Sequence, residues 1–335
     1  MQQTLEALGW SAFFAEAFEP YVPEGLTPAR VAVQERGAVV LFTSDGTVQA
    51  RGHAVAGDWV VYDPERSEIR AVLPRRTRFS RKEPWLTEEQ LLAANVDTAF
   101  LVTDCRRDFK PRRLERYLTA TWDSGADPVI ILAKSDLADD LSETVAAAEA
   151  VAFGVPVHAV SSVTGAGLEA LRPYLVPGRT VVLLGSSGVG KSTLANRLLG
   201  EEAFATGDVG RDGRGRHTTT HRELVRLPGG AFLLDTPGMR ELQLWADESA
   251  LAETFADVAE LANGCRFSDC AHESEPGCAV RAALADGTLP EVRLESYRKL
   301  QRELRVLALR QDARLRSEAR KERRRSARSR RKTKW

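Results

Sequence analysis

No stretch of this chain is apolar for anything near the ~20 residues that cross a bilayer, so a membrane-spanning helix is not expected. The first residues, MQQTLEALGW, lack the basic start and long apolar core of a secretory signal. Both absences point to the cytoplasm. Cysteine is scarce, with four in 335 residues, which is too few for a disulfide scaffold. No internal repeat is evident, so a solenoid is not expected. Net charge is absent too, but the zero hides a segregation. Residues 310–335 hold 13 of the 47 Lys and Arg and 3 of the 47 Asp and Glu. The tail therefore carries +10 and the rest of the chain −10. An acidic body with a basic tail suits a polyanionic partner, most simply nucleic acid; the plainer reading is a solubilising tail. What is present, 43% hydrophobic and 28% charged residues, is ordinary for a chain of two or three soluble domains.

Residues 11–18 (SAFFAEAF) have the look of a short helix. Between residues 29 and 73 come five short β-like runs: ARVAVQE, AVVLFT, TVQARG, DWVVYD and EIRAVL. Turn pairs such as Asp45-Gly46 and Asp63-Pro64 separate them. Five strands in so short a span fit a small closed barrel of the OB type, a fold that often binds single-stranded nucleic acid. PRRTRFSRKEP (residues 74–84) is basic and Pro-bounded and is read as a linker. From residue 95 apolar strands alternate with helical segments. VDTAFLVTD precedes PRRLERYLTATW, PVIILAKSD precedes LSETVAAAEAVAF, VPVHAVSS precedes GLEALRPYL, and TVVLLG precedes KSTLANRLL. This alternation predicts a parallel sheet covered on both faces. From Glu291, apolar residues at Leu294, Tyr297, Leu300, Leu304 and Leu307 fall at helical spacing.

GSSGVGKS (Gly185, Ser186, Ser187, Gly188, Val189, Gly190, Lys191, Ser192) follows a strand and, with Thr193, opens a helix. That is the context a phosphate-binding loop needs. Its glycines let backbone N–H groups face phosphate oxygens, and the helix N-terminus adds positive charge. Lys191 would reach the β- and γ-phosphates, and Ser192 would ligate Mg²⁺. Downstream, AFLLDTPG offers Asp235 for the Mg²⁺ shell and the Gly238 N–H for the γ-phosphate. Between them, TGDVGRDGRGRHTTTH (residues 206–221) has the composition of a switch loop. Any of its Thr218, Thr219 or Thr220 would close over Mg²⁺, and spacing alone does not choose among them.

AKSD (Ala133, Lys134, Ser135, Asp136) follows the strand PVIIL. A carboxylate at Asp136 can accept from guanine N1–H and N2–H₂, which adenine does not offer. The Lys134 stem can lie along the base. SSVTG, beginning Ser161-Ser162, would supply backbone N–H to guanine O6. Cys265, Cys270, His272 and Cys278 form a third constellation. Three thiolates and an imidazole suit a closed, structural Zn²⁺ site, one per chain.

The motif order AKSD, SSVTG, GSSGVGKS, GRHTTT, DTPG, Cys/His cluster resembles that of the small-ribosomal-subunit-dependent GTPase A family, whose GTPase domain is circularly permuted. The resemblance covers nearly the whole chain. Moving two strand–helix units to the front leaves a parallel sheet and its ligand edge intact if the old ends lie close. The family implies GTP hydrolysis, zinc, Mg²⁺ with GTP, contact with ribosomal RNA and a role in late small-subunit maturation. Ala133 departs from the family's Asn, which would bond guanine N7 and tie this loop to the phosphate loop. The expected architecture is multidomain. An N-terminal all-β OB-type barrel (1–75) and a basic linker (76–94) lead into a circularly permuted α/β P-loop GTPase domain (95–245). A mostly helical zinc-binding domain (246–309) and a basic tail (310–335) follow. Met239 stands where many GTPases have a water-orienting Gln, so His217, with His221 behind it, is the candidate to position the attacking water. The expected partners are GTP or GDP and the small ribosomal subunit with its rRNA, acting on a monomer. The competing readings are a P-loop ATPase or kinase and a non-catalytic RNA-binding assembly module.

Overall fold

The computed structural model describes residues 4–35, 37–82, 89–105, 109–200, 222–235 and 248–311. A short helix, α1 (Ala12–Phe18), precedes five strands. These are β1 (Thr27–Gln34), β2 (Ala38–Thr43), β3 (Gly46–Arg51), β4 (Trp59–Asp63) and β5 (Glu68–Val72). They pair in the order β1-β2-β3-β5-β4, and β4 returns to β1 to close the barrel. Alternating residues fill its interior, among them Val31, Leu41, Val60 and Tyr62.

The stretch read as a linker contains a hairpin, β6 (Arg78–Lys82) with β7 (Glu89–Ala94). Its apolar positions explain why: Phe79 and Leu92 are buried in the core with Phe14 and Trp59. Basic residues around Phe79 conceal the alternation.

The nucleotide-type sheet follows. Its elements are β8 (Thr98–Asp104), α2 (Pro111–Ser124), β9 (Asp127–Ala133), α3 (Leu141–Val151), β10 (Val157–Val160), β11 (Thr180–Leu184), α4 (Lys191–Leu199), β12 (Arg222–Arg226) and β13 (Phe232–Asp235). The spatial order is β10-β9-β8-β11-β13-β12, parallel except for β12. Both faces are covered. Leu101, Ile130 and Leu132 pack with Leu114 and Leu118 of α2. Phe100, Val129 and Ile131 pack with Leu194 and Leu199 of α4. Adjacent residues of one strand thus serve opposite cores. GLEALRPYL, expected as a helix, forms a 3₁₀ segment at Leu168–Tyr174. Pro173 lies inside it and cannot donate to a continuing α-helix.

Barrel and nucleotide sheet are one eleven-stranded sheet, joined where Val33 and Gln34 of β1 pair with Glu223 and Arg222 of β12. Past a register shift between Val31 and Val33, β1 keeps β2 on one side and exchanges β4 for β12 on the other. Arg30 seals the joint. Its buried guanidinium donates to the Leu8 and Asn95 carbonyls and to Thr180 Oγ1 at 2.6 Å, and lies over Phe232. Burial lowers its pKa to about 10, so it remains charged near neutrality.

Four helices complete the described chain: α5 (Glu248–Thr254), α6 (Ala256–Ala262), α7 (Ala279–Ala285) and α8 (Glu291–Gln311). Leu251, Phe255, Val258, Val280 and Leu294 form their core. Among the described residues no helix is long and apolar enough to cross a membrane.

Candidate nucleotide and metal sites

The parallel strands β8, β9, β10, β11 and β13 deliver their C-terminal ends to one edge, where an open α/β sheet binds ligands. At the end of β11 the chain enters the phosphate loop at Gly185. A Cβ there would lie 2.2 Å from the Val102 carbonyl, so only glycine lets the loop leave the sheet at this point. Lys191 begins α4, and its ammonium donates to the carbonyls of Gly185 (2.7 Å) and Ser186 (2.5 Å). Ser192 and Thr193 occupy the first turn of the same helix. Ser187 and Gly188 are exposed at the loop's crest, and Val189 anchors it in the core.

The AKSD segment lies against this loop. Ala133 ends β9 and is buried. A Cβ built on Gly190 would come within 3.7 Å of the Ala133 Cβ. Lys134 takes a left-handed conformation, φ 58° and ψ 40°, which swings its side chain back over the loop. Its ammonium donates to the Gly188 carbonyl at 2.7 Å and to Asp104 Oδ2 at 2.8 Å. Ala133 has no polar side chain with which to tie this segment to the phosphate loop. Lys134 makes the tie, and Asp104 at the end of β8 steadies it. Ser135 and Asp136 sit in the short 3₁₀ turn that follows, with Asp136 exposed. After β10, Ser161 is fully buried, its Oγ accepting from the Thr164 N–H, and Ser162 stands beside it at the same sheet edge.

Asp235 ends β13 at the same edge. Gly238, Met239, His217, His221 and Thr218, Thr219 and Thr220 lie outside the described residues, as does the tail beyond residue 311.

Cys265, Cys270, His272 and Cys278 converge, with all four ligand atoms within 4.8 Å of one another. Cys265 Sγ and Cys278 Sγ are 3.9 Å apart, and the His272 Nδ1 lies 3.6 and 3.5 Å from them. A tetrahedral ion with S ligands at about 2.3 Å and N at about 2.0 Å requires separations of about 3.8 and about 3.5 Å. The donor set fits a metal ion of that size. Burial lowers the His272 pKa, which favours the neutral, coordinating imidazole. Burial pushes the Cys270 thiol up to about 11; burial also raises Cys265, but the backbone N–H groups of Val280 and Ala279 together with the Cys278 and Cys270 thiols lower it on balance. The Glu275 carboxylate accepts from the N–H groups of Ala271, Glu273 and Ser274 and shapes the loop between the ligands.

A family model described as RsgA GTPase matches residues 72–245. The small ribosomal subunit biogenesis GTPase RsgA of Opitutus terrae is 51% identical, over 92% of each chain. The chain belongs to the RsgA GTPase family. A relative of the same name in Streptomyces coelicolor is 48% identical, covering 95% of this chain and 91% of its own. YjeQ from Thermotoga maritima superposes with a TM-score of 0.64 at 26% identity, over 83% of this chain and 98% of its own. YloQ, described as a circularly permuted GTPase, gives 0.62 at 26% identity, over 83% and 95%. This RsgA-family chain is a GTP hydrolase on a circularly permuted fold, with an N-terminal barrel and a helical C-terminal part.

Sequence reasoning missed two residues of the site. Asp104 supports Lys134, and Arg113 of α2 donates from Nη1 to Ser186 Oγ in the phosphate loop. Both lie on elements the sequence marks as strand end and helix start. Nothing in their local pattern shows which neighbour they reach.

Proposed function

We propose that this GTPase acts in biogenesis of the small ribosomal subunit, binding the subunit and its rRNA and assisting late maturation, with hydrolysis stimulated by the subunit. The observation that carries the nucleotide part is the contact of Lys134 with the Gly188 carbonyl, which sets AKSD over the phosphate loop. The subunit part rests on the names of relatives about half identical over nearly the full chain.

In this reading Asp136 accepts from guanine N1–H and N2–H₂, Lys134 lies along the base, and the turn at Ser161-Ser162 offers backbone N–H to O6. Residues Gly185–Thr193 wrap the β-phosphate, with Lys191 reaching to the γ-phosphate. Ser192 and Thr219 ligate Mg²⁺, Asp235 holds it through water, and the Gly238 N–H meets the γ-phosphate. His217 positions the attacking water, because the Met239 thioether is too weak an acceptor for that task. Zn²⁺ in the Cys265, Cys270, His272 and Cys278 set is structural, since protein fills all four positions. The basic tail binds rRNA phosphates, and the protein works as a cytoplasmic monomer.

The test is GTP turnover with and without purified small subunits. We expect slow intrinsic hydrolysis, strong stimulation by the subunit, and loss of that stimulation in His217→Ala with GTP binding kept. Equal turnover with and without subunits overturns the activation, and full stimulation in His217→Ala removes His217 from it.

A further inference from the structure

Two cations converge on one residue of the phosphate loop. The Lys191 ammonium meets the Ser186 carbonyl, and the Arg113 guanidinium meets the Ser186 hydroxyl. Lys191 belongs to the loop motif. Arg113 arrives from another part of the sequence, 73 residues upstream, in the first turn of α2. Its position is not set by α2 alone, because that helix is fastened to the C-terminal helices just beyond Arg113. Glu115 is ion-paired with Arg293 of α8 at 3.1 Å, both side chains being about 95% buried. Arg293 also grips Asp257 of α6 at 2.8 Å and the Thr254 carbonyl at 2.9 Å, and lies over the Phe255 ring. One turn further on, the Thr119 and Thr254 hydroxyls meet at 2.8 Å in the core.

We propose that Arg113 is a positioning residue of the GTPase: it sets the phosphate loop through Ser186, adds a second cation beside Lys191, and is itself held from the C-terminal domain through Glu115 and Arg293. The inference rests on the GTP-binding reading of this loop. A triphosphate carries one more negative charge than a diphosphate, and Lys191 serves its β,γ end. A cation added next to Lys191 therefore favours GTP over GDP. Arginine suits the task because its rigid, planar, positively charged head donates from Nη1 to the Ser186 hydroxyl in a defined direction. The arrangement also makes nucleotide preference sensitive to the packing of α8 on α2. Anything that binds the C-terminal domain and shifts α8 would then alter the GTP-to-GDP ratio, and the nucleotide would alter that binding in return.

The experiment measures GTP and GDP affinities of the full chain by fluorescent-nucleotide titration, with melting curves and subunit-stimulated KM and kcat. In Arg113→Ala we expect GTP affinity to fall about tenfold, the scale of one hydrogen bond to a charged group, and GDP affinity to fall about threefold or less. KM should rise while kcat is held, and the melting temperature should stay near wild type. Arg113→Lys should restore part of the ratio, having the charge without the planar head. Ser186→Ala removes the acceptor without touching α2, so it should shift the ratio the same way even if Arg113→Ala folds poorly. Arg293→Lys should move the ratio in the same direction by a smaller factor. An unchanged GTP-to-GDP ratio in both Arg113→Ala and Ser186→Ala overturns the proposal, as does an equal loss for both nucleotides with a lowered melting temperature. An unchanged ratio in Arg293→Lys overturns the link to the C-terminal domain. If wild type binds neither nucleotide, the GTP-binding reading itself fails, which is a different result from an unchanged ratio.

Discussion

The nucleotide edge gathers several segments from across the chain, whereas the metal cluster comes from the single run 265–278, and the two are held by different means. At the nucleotide edge every segment follows a parallel strand whose residues are buried on both faces, such as Leu101, Ile131 and Val182. The backbone ladder sets the spacing of the loops before any ligand arrives. Around the metal cluster the helices α5, α6 and α7 have seven residues each, below the length at which a helix is stable by itself. The ligand loop from 265 to 278 has its Glu275 turn and the four donors to order it. One site is set by a sheet; the other has no such ladder and leans on its four donors and its helical neighbours. The metal region should therefore lose its order without unfolding the sheet, although the Arg293–Glu115 link lets it alter nucleotide preference.

Zinc is the sharpest way to separate them. Structural zinc sites couple ligation to folding, on the order of 10 kcal/mol in isolated domains. Cys270→Ser, Cys278→Ser or strong chelation should release the metal and disorder residues 248–290, while GDP binding persists. Metal analysis and hydrogen exchange by region check this, and a zinc-free wild type with native protection in this region would defeat it.

Next comes the buried bolt between the two regions. Arg293→Ala leaves Glu115 and Asp257 without their cation, in a place where burial already pushes the Glu115 carboxyl up and Arg293 only partly offsets it. Removing one partner of such a pair costs about 3–5 kcal/mol. Denaturant melts should show that loss, and the C-terminal helices should open before the sheet. A single unshifted transition would contradict the separation.

The nucleotide edge is probed by base preference. Asp136→Asn should weaken GDP binding by about 1–3 kcal/mol, because guanine donors are left badly paired. Calorimetric titration measures it, and a wild type that binds ADP as well as GDP would remove Asp136 from the role. Ala133→Asn should tighten GDP binding by less than about 1 kcal/mol, since Lys134 already ties its segment to the phosphate loop. A large gain would mean that the Lys134 tie is inadequate.

Last comes the tail, whose effect is smallest at high salt and grows as salt falls. Deleting residues 317–335 should weaken subunit binding and flatten its dependence on salt. An unchanged slope leaves the tail without a role in binding, and a lost melting transition would place it in the fold.

Local sequence was most legible where chemistry and secondary structure share a short window. GSSGVGKS between a strand and a helix, AKSD after PVIIL, and the Cys/His run can each be read without a partner, because the residues that act together lie within one turn or loop. The five barrel strands were legible for the same reason, since alternation and turn pairs are local. Less legible was the hairpin at Arg78–Lys82 and Glu89–Ala94, where charged residues conceal a buried Phe79. The 3₁₀ segment at Leu168–Tyr174 was hidden by a helical apolar spacing that Pro173 overrides.

By itself, then, the sequence determined which groups are available: a glycine-rich loop between strand and helix, a carboxylate at Asp136 after a strand, four soft ligands and a permuted order of strands. Tertiary structure decided which of them touch. It put Lys134 rather than residue 133 on the Gly188 carbonyl, joined barrel to nucleotide sheet through β1 and β12, and brought Arg113 to Ser186 and Arg293 to Glu115. Those contacts span 54 to 190 residues. A side chain's reach is a few ångströms, so no local pattern records a neighbour that distant. Only the closing of the sheet, with helices packed on both faces, brings such residues within reach of one another.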